Sequence, residues 1–328
     1  MPNPAPLKKT THTFAIHEIS LECDVYEASD YPDDSPAFLF FHSGGLVGGA
    51  RIMIPPWLVQ ACFQRKWPLV SAEYRLLPQV DGKALLDDAR AAYSFAQTVG
   101  GQTGRRVIVG GASAGFFFGT LIAYHLSPKP LALFSITGIP TFKHEFFNSS
   151  VLIPSEPISE DDVEPYISEP VTVGKHVFDA RGCFDLEQLR SDGSKNLSYT
   201  PKTTKVPGFD RDPDRGLLYD YYLYENLFVD LVGDVDPGFD WTKDESQKRK
   251  LADWPVTIFI QGDDDDDVSP KVWEYVAGQL GEKAVHFEAK GQGHLFEKSS
   301  YLEDFEDGAP AAVVKKAIEE LDRVVGGT

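Results

Sequence analysis

The sequence predicts an α/β protein, a mostly parallel sheet flanked by helices and interrupted by one long insertion. Two observations predict it. Short apolar runs alternate with helix-period stretches through the first 140 residues, and the same alternation returns from Val256 onward. Between them, residues 141–253 are rich in Pro, Gly, Asp and aromatics, with few clean periods.

A first strand is expected from about Thr11. The apolar runs 37–41, 69–72 and 107–109 read as strands buried on both faces of a sheet. In 84–99, Leu85, Ala89, Ala92, Ala96 and Val99 recur at helical spacing, and Gly100 and Gly101 stop that helix. A second helix should fill 114–125, ahead of Pro128, and 131–136 should be the next strand. Strand, helix and strand in this order imply parallel pairing through right-handed crossovers. Inside the insertion, 217–232 is the best helix candidate. Beyond it, 256–261 (strand), 270–280 (helix), 284–289 (strand) and 310–325 (helix) complete the unit. The domain expectation is a core of residues 1–140 and 254–328 with 141–253 inserted as a cap or lid.

Composition narrows the function. A chain of 328 residues, 42% hydrophobic and 25% charged, is not collagen-like, mainly disordered or a disulfide scaffold. Its formal charge is −19, from 50 Asp+Glu against 31 Lys+Arg. So acidic a surface repels phosphate backbones and anionic lipid, which argues against nucleic acid and membranes as partners. Cys23, Cys62 and Cys183 are widely spaced and odd in number, which predicts reduced thiols rather than a zinc site or disulfide framework. Residues 1–13 hold no apolar leader core, and no run of about 20 apolar residues occurs. A soluble cytoplasmic protein is expected.

The most informative stretch runs from Arg105 to Gly115. It is a strand, then Gly111-Ala112-Ser113-Ala114-Gly115, then an apolar helix. Gly-x-Ser-x-Gly on a sharp strand-to-helix turn lifts the serine hydroxyl clear of the sheet. Ser113 is the candidate nucleophile. Acyl transfer also needs N–H groups aimed at the developing oxyanion. His42-Ser43-Gly44-Gly45 follows a buried strand, so Gly44 and Gly45 can donate from one side and Ala114 from the other. His42 reads as a structural residue of that loop. A serine needs a histidine to accept its proton and a carboxylate to orient that histidine. His294, in the glycine-rich loop Gly291-Gln292-Gly293-His294 after a strand, is the candidate base, whereas His125 and His286 read as structural. The carboxylate should follow strand 256–261, where five aspartates stand in a row. Most of them must face water, because adjacent carboxylates repel. Spacing alone leaves Asp264, Asp265 and Asp266 open. The order Ser, Asp, His differs from that of chymotrypsin and subtilisin.

With these residues the chain resembles the α/β-hydrolases, and among them the hormone-sensitive-lipase-like ("fold-3") serine esterases. His42-Ser43-Gly44-Gly45 is similar to that group's oxyanion loop. Glu73 to Pro78 resembles its Asp-Tyr-Arg-Leu-Ala-Pro segment, and Gly111 to Gly115 its nucleophile elbow. The group's Gly-x-x-Asp-x-x-Val pattern, laid on Gly262 and Val268, selects Asp265 as the acid, and His294 matches its Gly-His-x-Phe setting. Ser43 and Ala112 depart from the group's usual glycine and aspartate. The resemblance implies the α/β-hydrolase fold, a Ser113–Asp265–His294 triad and hydrolysis of a carboxylic ester or lactone. It implies no cofactor or metal, and a small-molecule acyl substrate as partner. A homodimer is kept as an option. The same fold also serves acyl transferases, cyclases, amidases and peptidases of small-molecule pathways, and a non-catalytic ligand receptor. Cap aromatics such as Phe142, Phe147, Phe178, Tyr222, Phe228 and Trp241 can line a pocket, but packing the cap onto the sheet is the favoured role for each.

Overall fold

Strands and helices alternate in the predicted order in the computed structural model, which describes residues 5–176, 182–200 and 214–327. The strands are β1 (Lys8–Ile16), β2 (Ser20–Glu27), β3 (Ala37–Phe41), β4 (Gly49–Ala50), β5 (Leu69–Ala72), β6 (Val107–Ala112), β7 (Ala132–Ile136), β8 (Lys175–His176), β9 (Val256–Gly262) and β10 (Ala284–Ala289). Eight of them form one sheet in the order β1-β2-β5-β3-β6-β7-β9-β10. From β5 to β10 all neighbours are parallel, while β2 pairs antiparallel with both β1 and β5. β4 and β8 form a separate antiparallel ribbon.

The helices are α1 (Pro56–Arg65), α2 (Gly82–Ala96), α3 (Phe116–His125), α4 (Glu160–Ile167), α5 (Leu217–Tyr224), α6 (Phe228–Val232), α7 (Lys248–Ala252), α8 (Pro270–Leu280) and α9 (Val313–Gly326). Strand alternation sorts the core into two layers. Leu39 and Phe41 of β3 face one cluster with residues of α2, α3 and α8. Phe38 and Phe40 face the other, with residues of α1 and α9. Both faces of the central strands are therefore covered, which is why they read as unbroken apolar runs. Local chemistry sets the helix ends. The Asp81 carboxylate accepts from Ala84 N–H at the start of α2, and Pro270 opens α8. No helix among the described residues is long and apolar enough to cross a membrane.

Three sequence expectations shift. The first strand begins at Lys8 rather than near Thr11. The strand expected at 107–109 runs on to Ala112, so Ser113 follows directly at the C-terminal end of a central strand. The helix expected over 217–232 is two helices, α5 and α6. Asn226 interrupts it with φ +59°, and its amide side chain bonds both the backbone N–H and the hydroxyl of Ser150. Asparagine tolerates this left-handed geometry better than most residues, and the local bonds outweigh helix propensity.

Segment 141–253 is fastened at both ends and in its middle. Near its ends, buried Asp236 accepts from Thr141 Oγ1 (2.9 Å), Phe142 N–H (2.7 Å) and Gly238 N–H (2.8 Å). Phe142 stacks on Phe228 and meets Phe117 of α3 edge-on. In the middle, fully buried Arg215 donates to the Val47 carbonyl (2.6 Å), the Leu77 carbonyl and Gln79 Oε1, and pairs with Glu169. Every guanidinium donor so engaged is satisfied away from water, as a buried charge requires.

Candidate active site

β6 ends at the turn that carries Ser113. The serine has φ +51° and is 6% exposed. A side chain in that region of backbone space is strained, and the surrounding packing holds it there. The two flanking glycines are steric requirements. A Cβ on Gly111 would lie 2.4 Å from the Gly115 backbone, and one on Gly115 would lie 2.3 Å from the Phe41 carbonyl oxygen. Strand and helix pass too close for any larger residue. The Ser113 carbonyl accepts from Ile139 N–H, which ties the turn to the chain leaving β7. Ala114 is fully buried at the head of the helical segment, and the cavity beside Ser113 is lined by Ala112 and Ser113 but not by Ala114.

The loop after β3 lies beside this turn. Gly44 and Gly45 have φ +130° and +64°, and neither amide N–H donates to another described residue. The Gly44 carbonyl takes Val47 and Gly48 N–H, so the loop folds back on itself with its leading amides left over. His42 is completely buried and holds the loop from inside. Its Nδ1 donates to the Ser43 carbonyl (2.8 Å), and its ring stacks on Tyr74 at 4.2 Å between centroids. Tyr74 returns its hydroxyl to the His42 carbonyl (3.0 Å), and Leu77 N–H bonds the Leu46 carbonyl. Burial pushes the His42 imidazole down to about 4, so it is neutral in this loop. The structural role expected of His42 is the one the geometry supports. The Glu73–Pro78 segment braces the same loop from behind.

His294 and the aspartate run meet at the ends of β10 and β9. His294 Nδ1 donates to Asp265 Oδ2 at 2.9 Å, leaving Nε2 as its second nitrogen. Asp265 is 4% exposed. Its Oδ2 also accepts from Gln261 Nε2 (2.7 Å), and its Oδ1 accepts from Asp267 N–H (3.1 Å) and Val268 N–H (2.9 Å). Four donors on one buried carboxylate fix its direction. Asp263, Asp264 and Asp266 are exposed. Asp263 accepts from Gly291 N–H, which anchors the loop leading to His294 and holds its carboxyl below the usual range. The fifth, Asp267, lines the cavity described next.

A cavity of about 380 Å³ joins these pieces. Ser113, His294, Ser43, Gly44 and Gly45 line it together with Leu217, Tyr219 and Asp220 of α5. Tyr219 donates its hydroxyl to the Asp267 carbonyl (2.8 Å), closing the wall between α5 and the aspartate run. Burial, and then the charge of Asp267, push the Asp220 carboxyl up to about 6. Sequence reasoning missed Tyr219, Asp220, Asp267 and Lys298 as lining residues. Tyr219 was hidden in a helix whose aromatics all looked alike. The aromatics Phe142, Phe147, Tyr222, Phe228 and Trp241 of segment 141–253 pack in or against the core cluster and do not line this cavity, whereas Phe178 lies outside the described residues.

Residues 38–131 match a family model described as the alpha/beta hydrolase fold. Lipase 2 of a Moraxella strain is 33% identical over 102 residues, covering 30% of this chain and 23% of that protein. A probable carboxylesterase, M8, of a Phoma species is 37% identical over 60 residues, 17% of this chain and 19% of that protein. The chain thus spans about a quarter or less of the length of these two curated relatives. Whole-chain likeness comes from solved structures. An alpha/beta hydrolase superfamily protein of Enterococcus faecalis superimposes with TM-score 0.65 at 16% identity, covering 98% of this chain and 99% of that one. Carboxyl esterase 2 of Tuber melanosporum gives TM-score 0.58 at 14% identity, covering 96% and 87%.

Proposed function

This chain has the α/β-hydrolase fold, and on that premise we propose that it is a serine hydrolase cleaving a carboxylic ester or lactone of a small organic molecule. One observation carries the reading. Ser113, His294 and the Gly44–Gly45 loop open onto one cavity, with Asp265 bonded to the histidine behind them. The lipase and carboxylesterase names of the partial relatives support it.

In this mechanism Asp265 holds a proton on His294 Nδ1, so Nε2 is free to accept the proton of Ser113. The serine oxygen attacks the substrate carbonyl. The Gly44, Gly45 and Ala114 amides bind the oxyanion, and His294 passes its proton to the leaving alcohol. Water activated by His294 then releases the acid from the acyl-enzyme. Segment 141–253 acts as the cap, since α5 lines the cavity onto which Ser113 opens. Asp220 and Asp267 on that side disfavour anionic substrates.

A panel of p-nitrophenyl esters of graded acyl length, with simple lactones beside it, tests the reading. Turnover of at least one member is expected, and complete inertness across the panel would remove it. The oxyanion role has its own test. A Cβ on Gly45 would lie 2.7 Å from the Tyr219 ring at a φ that side chains avoid. Gly45→Ala should therefore displace this amide and lower kcat by ~10²–10³-fold with little change in KM. A variant with wild-type kcat would show that this amide does not serve.

A further inference from the structure

Glu297 lies three residues after His294 in the loop that follows β10, and it is completely buried. Neither of its side-chain oxygens has a hydrogen-bond partner among the described residues. The turn around it is pinned. Lys298 N–H donates to the Leu295 carbonyl, Ser300 N–H to the Glu297 carbonyl, and Trp57 N–H of α1 to the Ser300 carbonyl. The charged groups that face the carboxyl are His294 and Lys298 from its own turn and Asp265 from the loop after β9. Its carboxyl is therefore within electrostatic reach of the His294–Asp265 pair without a hydrogen bond to either.

We propose that Glu297 is a positioning residue for His294, one that holds the turn bearing the base in working order only while its own carboxyl carries a proton. The proposal rests on the reading of His294 as the base. An ionised carboxylate would lose its hydration there with only the weak pull of its own amide in exchange, whereas the neutral acid avoids most of that penalty. Burial pushes this carboxyl up to about 7, against the pull of its own amide and of His294. While protonated, Glu297 adds no charge beside Asp265. When it releases its proton to solvent, a second negative charge faces the imidazole and an unsolvated anion sits under the turn. The imidazolium then gives up its proton to the leaving group less readily, and the turn is driven toward water.

The linkage has a definite sign. The folded carboxyl titrates near 7, above the ordinary glutamate value of 4.5. Its favourable contribution is full below that ordinary value, falls as pH rises toward about 7, and stays lost above.

Glu297→Gln imitates the protonated form at every pH. On a turned-over ester, wild-type kcat/KM should fall about three- to tenfold between about pH 6.5 and pH 8.5. The Gln variant should lack that fall and stay within about threefold of wild type near pH 6. Its Tm should exceed that of wild type by a margin that widens from about pH 5 to about pH 7.5 and then levels off. Superimposed activity profiles would overturn the positioning role, whatever Tm does. A loss above about tenfold near pH 6 would overturn it too, because the base would then need the carboxylate charge. If the Gln variant fails to fold, ¹³C-carboxyl glutamate resonances of wild type decide. A carboxyl titrating near 7 supports the proposal, and the absence of any such carboxyl overturns it. Ser113→Ala separates the two failures. Activity unchanged in that variant would sink the hydrolase reading, while the Tm and resonance measurements would still judge Glu297.

Discussion

Ser113→Ala is expected to lower kcat/KM on any ester the protein turns over by at least ~10³-fold while leaving the fold intact. In the proposed mechanism the serine oxygen forms the covalent bond, so its loss would remove the acyl-enzyme route altogether. What remains is stabilisation of a water-attack transition state by the glycine amides, which accounts for a residual rate well above that in water. The substitution is structurally mild. Ser113 is 6% exposed on a turn with φ +51°, and alanine fits that backbone about as well as serine does. The turn's steric demands fall on Gly111 and Gly115, which the substitution leaves alone. Far-ultraviolet circular dichroism and Tm close to wild type should accompany the activity loss. A variant with much of its activity left would mean that the bond-forming atom lies elsewhere.

Asp265→Asn should be nearly as severe, at ~10³–10⁴-fold in kcat, whereas Asp264→Asn and Asp266→Asn should stay within about twofold. The contrast comes from position. Asp264 and Asp266 are exposed, while Asp265 accepts four hydrogen bonds, one of them from His294 Nδ1. An asparagine there would keep its oxygen on the Asp267 and Val268 amides and turn its amide nitrogen toward the histidine. The imidazole would then have to accept at Nδ1 and carry its proton on Nε2. That tautomer cannot take the proton of Ser113, and an imidazolium would lack its counter-charge. Parallel steady-state kinetics on the three variants check this. Equal losses at all three positions would assign the effect to the charge of the run rather than to one oriented carboxylate.

Much of this site was legible in the sequence because its chemistry is local. The apolar runs at β3, β5 and β6 reveal buried parallel strands, and the strand-to-turn pattern around Ser113 is contiguous. His294 stood out because Gly291 and Gly293 lead into it in a loop after a strand. The aspartate was not legible from spacing, since five identical neighbours carry no internal signal, and the resemblance alone selected Asp265. Its distinction lies in Gln261 at the end of β9 and in two backbone amides, which become visible only in three dimensions. β2 and α1 went unread. β2 mixes charged and apolar residues, and the core-facing surface of α1 is set by tertiary contact with β3 and α9. The break between α5 and α6 depends on Asn226 meeting Ser150, 76 residues away in sequence. Glu297 left no trace in the sequence at all, because a glutamate in a polar-looking loop reads as solvated until its burial is known.

The most direct test of the central claim is mass mapping of the folded protein after exposure to a fluorophosphonate. These reagents phosphonylate a serine only when an adjacent base and oxyanion donors activate it. One stoichiometric adduct is expected on the peptide containing Ser113, formed in step with the loss of esterase activity and abolished by prior unfolding or by Ser113→Ala. Active enzyme with no adduct on Ser113, or with the adduct on a different serine, would contradict it.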